Sequence, residues 1–174
     1  MNRCFKLLPV AVVALLVLAT AGSARGQEVI GLPVGARPDA AQIEDLDGGD
    51  VDLSQYIGQG VPVLVEFWAT WCANCRELEP QIYAAREKHG SEIEILIVAV
   101  AVNQSIRRVR RHFEDRDVPG HLLWDGEGRA VRAFKAPATS YVVILDGEGR
   151  VAYTGLGPEQ DLESAIAQVL EQRD

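Results

Sequence analysis

Two apolar runs, Val61–Trp68 and Ile93–Val102, dominate the hydrophobic pattern of this chain. Both are too continuous for strands with one wet face and read as strands buried on both sides. After the first run the period changes. From Ala73 to His89, Leu78, Ile82, Tyr83 and Ala85 recur at helical spacing, and Gly90 ends the helix. Pro80 lies inside that helix and is expected to bend it. A second helix over Gln104–Arg116 turns Ile106, Val109 and Phe113 inward. A short strand at Leu122–Trp124 and a short helix at Ala130–Phe134 follow. Tyr141–Leu145 and Arg150–Thr154 make a hairpin across Asp146-Gly147-Glu148-Gly149, and Asp161–Leu170 is a closing amphipathic helix. Earlier, Gln42–Leu53 reads as a hairpin turning at Asp47-Gly48-Gly49-Asp50. Residues 25–41, rich in Gly, Pro and Ala, read as linker and loop. Strands alternating with helices predict an α/β fold, a mostly parallel sheet made mixed by the final antiparallel hairpin. Asp-Gly-Glu-Gly-Arg occurs at 125–129 and at 146–150 in different surroundings, a repeated turn rather than a duplicated domain.

The first 26 residues follow another logic. Arg3 and Lys6 precede the apolar run Leu7–Thr20, broken only by Pro9, and Ala21-Gly22-Ser23-Ala24 supplies small residues. This is the pattern of an export signal cut after Ala24. The run is short for a membrane span of roughly 20 residues, but left uncut it would anchor the chain. Cys4 precedes the run and is not placed like a lipid-modified cysteine. A 27–41 linker and a single domain over 42–174 complete the expected organisation. The formal net charge is −8, and Arg3, Lys6 and Arg25 are the only charges before residue 27, so removing them leaves −11. Such an acidic balance argues against nucleic acid and against an anionic membrane surface as partners.

With Cys4 set aside, Cys72 and Cys75 are the only cysteines, two residues apart where the first strand runs into the first helix. A sulfur at a helix N-terminus sits among unpaired N–H groups that favour its thiolate, the species that attacks disulfides. In an oxidising compartment the pair closes on itself, reacts with a partner, or binds metal. A structural zinc site needs four ligands, and His89, His112 and His121 offer no second closely spaced pair. Glu66 is the only charge between Val61 and Cys75. In a doubly buried strand its carboxyl is costly to ionise and should stay largely protonated near neutral pH; on an open sheet edge it would be solvated. Arg107, Arg108, Arg110 and Arg111 read as a solvated helix face, or as a dock for an acidic partner.

The run Val65-Glu66-Phe67-Trp68-Ala69-Thr70-Trp71-Cys72-Ala73-Asn74-Cys75 resembles the active-site strand and helix start of thioredoxin-like proteins. Gly35-Ala36-Arg37-Pro38-Asp39, Asp45-Leu46-Asp47-Gly48 and Val51-Asp52-Leu53-Ser54 resemble the extra N-terminal hairpin of exported TlpA/ResA-type thiol-disulfide oxidoreductases. An insertion over about 104–134 and the ending Tyr153-Thr154-Gly155 fit the same branch. The resemblance implies a thioredoxin-like fold, a central mixed sheet flanked by helices. It implies a Cys72–Cys75 disulfide, with Cys72 the nucleophile and Cys75 the resolving thiol. Glu66 matches the buried acid behind the second cysteine and would move its proton. Pro80 matches the helix-bending proline, and Trp71 would offer an apolar contact to a partner. The family's cis-proline position, counted back from Asp146, falls on Ser140 after Thr139, with Pro137 three residues early. A cis bond before serine costs about 3–4 kcal/mol. So that loop is either trans and differently shaped, or cis and strained, or Pro137 fills the role through a shifted loop. Thr139 and Ser140 are the expected partner contacts there.

No metal and no cofactor belong to this reading. The implied partners are client proteins with disulfides or dithiols, cytochrome c maturation clients among them, and a membrane electron donor. The chain is expected to be a monomer in a bacterial periplasm or envelope. The Ala-Asn pair between the cysteines carries no cation, which leans away from a strong oxidant. Two rivals use the same cysteines: a thiol peroxidase and a metal-binding or metallochaperone module.

Overall fold

A computed structural model of the chain describes residues 31–172; the expected export signal, with Cys4 and the start of the linker, lies outside the described residues. In chain order the elements are β1 (Gln42–Asp45), β2 (Asp50–Asp52), β3 (Val63–Trp68), α1 (Ala73–His89), β4 (Glu94–Val100), α2 (Ile106–Phe113), β5 (His121–Asp125), α3 (Arg129–Ala133), β6 (Tyr141–Leu145), β7 (Val151–Leu156) and α4 (Leu162–Glu171). The strands form one sheet in the order β2-β1-β5-β4-β3-β6-β7. β3, β4 and β5 run parallel, and the remaining pairs are antiparallel. This is the mixed α/β sheet of the thioredoxin-like fold, but four of its six strand pairs are antiparallel, so it is not the mostly parallel sheet expected: the N-terminal hairpin also joins antiparallel, through β5. The N-terminal hairpin forms one edge, and the inserted strand β5 joins it to the parallel centre.

β3 is central. Glu66 pairs with Ile97 on one side and Val142 on the other. The solvated-edge alternative for Glu66 is therefore wrong: two flanking strands and its fully buried neighbours Val65 and Phe67 remove it from solvent. Side chains alternate across β3. Phe67 meets the Phe134 ring at 5.6 Å beside the end of α3, whereas Trp68 meets Phe113 at 5.2 Å in α2. Both sheet faces are thus covered, which is what continuous apolar strands require.

Several boundaries differ from the hydrophobic runs. β3 starts at Val63 because Pro62 cannot donate to a ladder and its carbonyl instead accepts from Glu94 N–H at 2.9 Å. β4 stops at Val100, leaving Val102 exposed in the next loop. Gln104 lies before α2, where its side chain is engaged elsewhere. Residues 31–41 carry no regular element yet are docked. Leu32 is buried, its N–H donates to the Tyr141 hydroxyl at 3.2 Å, and Gly35 N–H donates to Val151 at 2.7 Å. Gly31 has φ +74° and would drive any Cβ into the Tyr141 hydroxyl, so only glycine lets the chain turn there.

Candidate active site

The end of β3 aims the chain at the first turn of α1. Cys72 is the N-cap of α1; its backbone is extended and its Sγ accepts the N–H of Cys75 at 3.0 Å. Serine and threonine oxygens commonly serve as caps, and here a sulfur meets one of the four orphan donors. The two sulfurs are joined in a disulfide. Once the bond opens, the same N–H and the helix dipole favour charge on Cys72. Cys72 is 4% exposed and Cys75 fully buried, so the asymmetry between nucleophile and resolving thiol is present but narrow. Cys75 Sγ lies 3.9 Å from the Phe67 carbonyl, held against β3. The residues between, Ala73 and Asn74, are exposed.

Trp71 is 41% exposed, and its indole N–H donates to the Val102 carbonyl at 2.7 Å. This bond stands the ring beside the cysteines as one wall of an apolar groove, with Val100, Val102, Val131, Pro137 and Thr139 on the other sides. Trp68, by contrast, is buried core. Gln104 joins the loops under the groove. Its amide oxygen accepts Thr70 N–H at 2.9 Å and its NH2 donates to Val100 at 2.6 Å. Sequence reasoning missed Gln104, because nothing local marks a glutamine that bridges the Thr70 N–H and the Val100 carbonyl, the first of them 34 residues away.

Among the described residues no peptide bond is cis, so the Thr139–Ser140 bond is trans. The loop takes the differently shaped course: Ser140 has φ +62°, a left-handed conformation that costs a non-glycine residue about 1–3 kcal/mol. Compensation is visible. Ser140 N–H donates to Phe67 at 2.8 Å, a bond that proline could not make, and the Ser140 carbonyl accepts from Gly157 N–H at 3.2 Å and Gln160 Nε2 at 3.1 Å. Ser140 is buried, so it does not offer the partner contact expected of it, and its hydroxyl finds no hydrogen-bond partner; Thr139 alone of the two lines the groove. Pro137 does not take over its position; it is exposed and lines the groove. Pro80 lies inside α1, where its ring removes the N–H that the Arg76 carbonyl would accept.

Glu66 is 3% exposed, and its Oε1 has no partner. Burial first, and the Glu79 carboxylate second, push its pKa from 4.5 to about 8. The carboxyl is therefore largely neutral at pH 7 and poised to gain or lose a proton in the working range. Of the histidines, His89 is buried at the end of α1 against Glu163 at 3.2 Å, His121 is exposed against Glu94 at 3.3 Å, and His112 packs on Trp68 at 5.1 Å. The structure does not bring them together with the cysteines. Among the described residues no group of three His, Cys, Asp or Glu side chains could hold a metal ion. Of the four arginines of α2, Arg110 is tied to the Leu46 carbonyl, and all four are exposed.

Residues 33–170 match the Redoxin family, and the chain belongs to it. The ResA thiol-disulfide oxidoreductase of Geobacillus kaustophilus is 26% identical over 147 residues, covering 82% of this chain and 81% of that protein. The ResA protein of Bacillus subtilis is 28% identical over 109 residues, covering 63% of this chain and 59% of its own. A crystal structure of a thioredoxin-family thiol:disulfide interchange protein from Chlorobium tepidum superposes with TM-score 0.65 at 18% identity, covering 80% of this chain and 98% of that one. The exposed lipoprotein thioredoxin Etrx1 of Streptococcus pneumoniae gives TM-score 0.63 at 23% identity, over 77% of this chain and 99% of its own. These two likenesses establish the fold. Family, fold and paired cysteines together define a thioredoxin-like thiol-disulfide oxidoreductase of the TlpA/ResA type.

Proposed function

We propose that the chain is exported and reduces disulfides of envelope client proteins. The observation that carries this reading is the Cys72 sulfur capping α1 beside an exposed tryptophan and an apolar groove. The Cys72 thiolate attacks one sulfur of a client disulfide, forming a mixed disulfide while the other client sulfur leaves as a thiolate. Cys75 then loses its proton to the ionised fraction of Glu66 and attacks Cys72. The second client sulfur leaves with its electron pair, and the Cys72–Cys75 disulfide closes. Two electrons pass from the dithiol to the client, and a membrane donor returns them. Trp71 and Thr139 flank the client segment, Ser140 holds the loop behind it, and Pro80 shapes the helix that carries the cysteines. Export rests on the basic-then-apolar start of residues 1–26, which precedes a domain over 42–174. Among the described residues no helix is long and apolar enough to cross a membrane. Clients in cytochrome c maturation fit a reductant of this type.

The test is turnover of insulin disulfides with dithiothreitol as donor. Wild type should turn over, Cys72→Ser should not, and Cys75→Ser should trap a mixed disulfide with the client. Wild-type turnover no faster than that of Cys72→Ser would sink the reading. Rapid consumption of peroxide, or one equivalent of copper lost in Cys72→Ser, would replace it.

A further inference from the structure

The Glu66 side chain, whose Oε1 is buried without a hydrogen-bond partner, lines a small cavity of about 20 Å³, room for one water molecule. Ile82 and Phe113 make it dry on two sides, and its polar walls are Glu79 and Tyr83 from α1 and His112 from α2. These three groups are not equivalent. The Tyr83 hydroxyl is already spent on the Asp117 carbonyl at 2.5 Å, and burial and the Glu79 charge hold its proton on. The His112 ring packs against Trp68, and burial, with Arg116 and Arg76 nearby, favours its neutral form despite Glu79. Glu79 spans inside and outside. It lines the cavity, its side chain is 33% exposed, and its Oε1 lies 4.0 Å from the Arg116 guanidinium. It also stands four residues beyond Cys75, on the same face of α1.

We infer that Glu79 is the solvent end of a proton passage that serves Glu66, with one water in the cavity joining the two carboxyl groups and His112 closing its far wall. This rests on the reading that Glu66 takes the proton of Cys75. When Cys75 attacks the mixed disulfide, its S–H electron pair becomes the new S–S bond and its proton moves to the Glu66 carboxylate. The proton then crosses the water to Glu79 and leaves to solvent, while the departing client sulfur carries away the electron pair of the broken bond. The path runs backwards when a donor reduces the disulfide and Cys75 must be reprotonated. A water that accepts from one carboxyl and donates to the other joins the two groups that line the cavity. Glu79 is thus a positioning residue that acts through Glu66. After burial, its charge also raises the pH at which Glu66 works.

Resolution of a preformed mixed disulfide, followed by rapid mixing from pH 5 to pH 9, tests this. Glu79→Gln should slow resolution by roughly tenfold at pH 7 and move the inflection to lower pH, because the charge that raises Glu66 is gone. Glu79→Asp should retain most of the wild-type rate, and near-UV circular dichroism of both variants should match wild type. Formation of the mixed disulfide, which needs only Cys72, should be unchanged. A Glu79→Gln profile that superimposes on wild type while Glu66→Gln is slowed overturns the passage and leaves Glu66 in place. A Glu66→Gln profile identical to wild type removes Glu66 itself, and the passage with it.

Discussion

A carboxyl buried in the central strand leaves a mark on stability as well as on catalysis. The folded pKa of Glu66 is about 8 against an ordinary 4.5, so the folded protein holds this proton where the unfolded chain has lost it. Stability should therefore fall as pH rises from about 4.5 to 8 and level off above, by roughly 5 kcal/mol at most. Glu66→Gln should remove that slope, so urea midpoints of the two proteins should converge near pH 5 and separate toward pH 8, the variant being the more stable. Ser140 carries a different strain. Ser140→Gly relieves φ +62° and should gain about 1 kcal/mol, whereas Ser140→Pro can neither adopt that φ nor keep the bond to Phe67 and should lose about 3 kcal/mol or more. Chemical unfolding at pH 6 measures both. Cys72, Cys75 and Glu66 were legible in the sequence because each stands out against its own neighbours. Glu79 carried a weak signal, four residues from Cys75 on one helix. His112 and Gln160 carried none, since their roles arise from chain segments that meet only on folding.

At the scale of elements, legibility follows how the hydrophobic pattern is generated. β3 and β4 read directly because both faces are covered and nearly every position is apolar, Glu66 being the exception inside β3. α1 read from cap to end because a sulfur opens it and Gly90, with φ +51°, closes it. The short helices and edge strands drifted by one to three residues, α2 ending at Phe113 rather than Arg116, since their limits are set by partners rather than by their own composition. β5 runs His121–Asp125 because the parallel ladder to β4 continues past Trp124 to Asp125. The loop that opens α2 was the least legible, being shaped by one side chain. Gln104 ties the N–H of Thr70 to the end of β4, so Gln104→Ala should leave that donor unmet and cost about 1–3 kcal/mol. The same change should loosen the turn over Cys72, and reduced variant protein should react faster with iodoacetamide than reduced wild type. Equal alkylation rates would mean that the turn is held by the Trp71–Val102 bond alone.

For the whole molecule, the question is which redox state the fold prefers, because that preference sets the direction of electron flow. Folding and reduction form a closed cycle: whatever stability the disulfide adds to the folded chain appears as a lower reduction potential of the folded dithiol. The crosslink spans a sequence separation of 3, so it restricts the unfolded chain only modestly, by about 2 kcal/mol in the loop-entropy picture. Against this stands the N-cap, where the Cys75 N–H and the helix dipole favour a Cys72 thiolate and so the reduced form, by about 0.3–1 kcal/mol at an ordinary helix end. No lysine, arginine or histidine lies between the cysteines to strengthen that opposing effect. The crosslink therefore wins. Reduction should lower the unfolding free energy by about 1–2 kcal/mol, which places the couple some 20–40 mV below an unstrained dithiol, on the side of a reductant. Urea unfolding of the oxidised protein, and of the protein held reduced by dithiothreitol, gives the difference directly. A reduced form more stable than the oxidised one would reverse the sign, and the chain would then deliver disulfides to its clients instead of removing them.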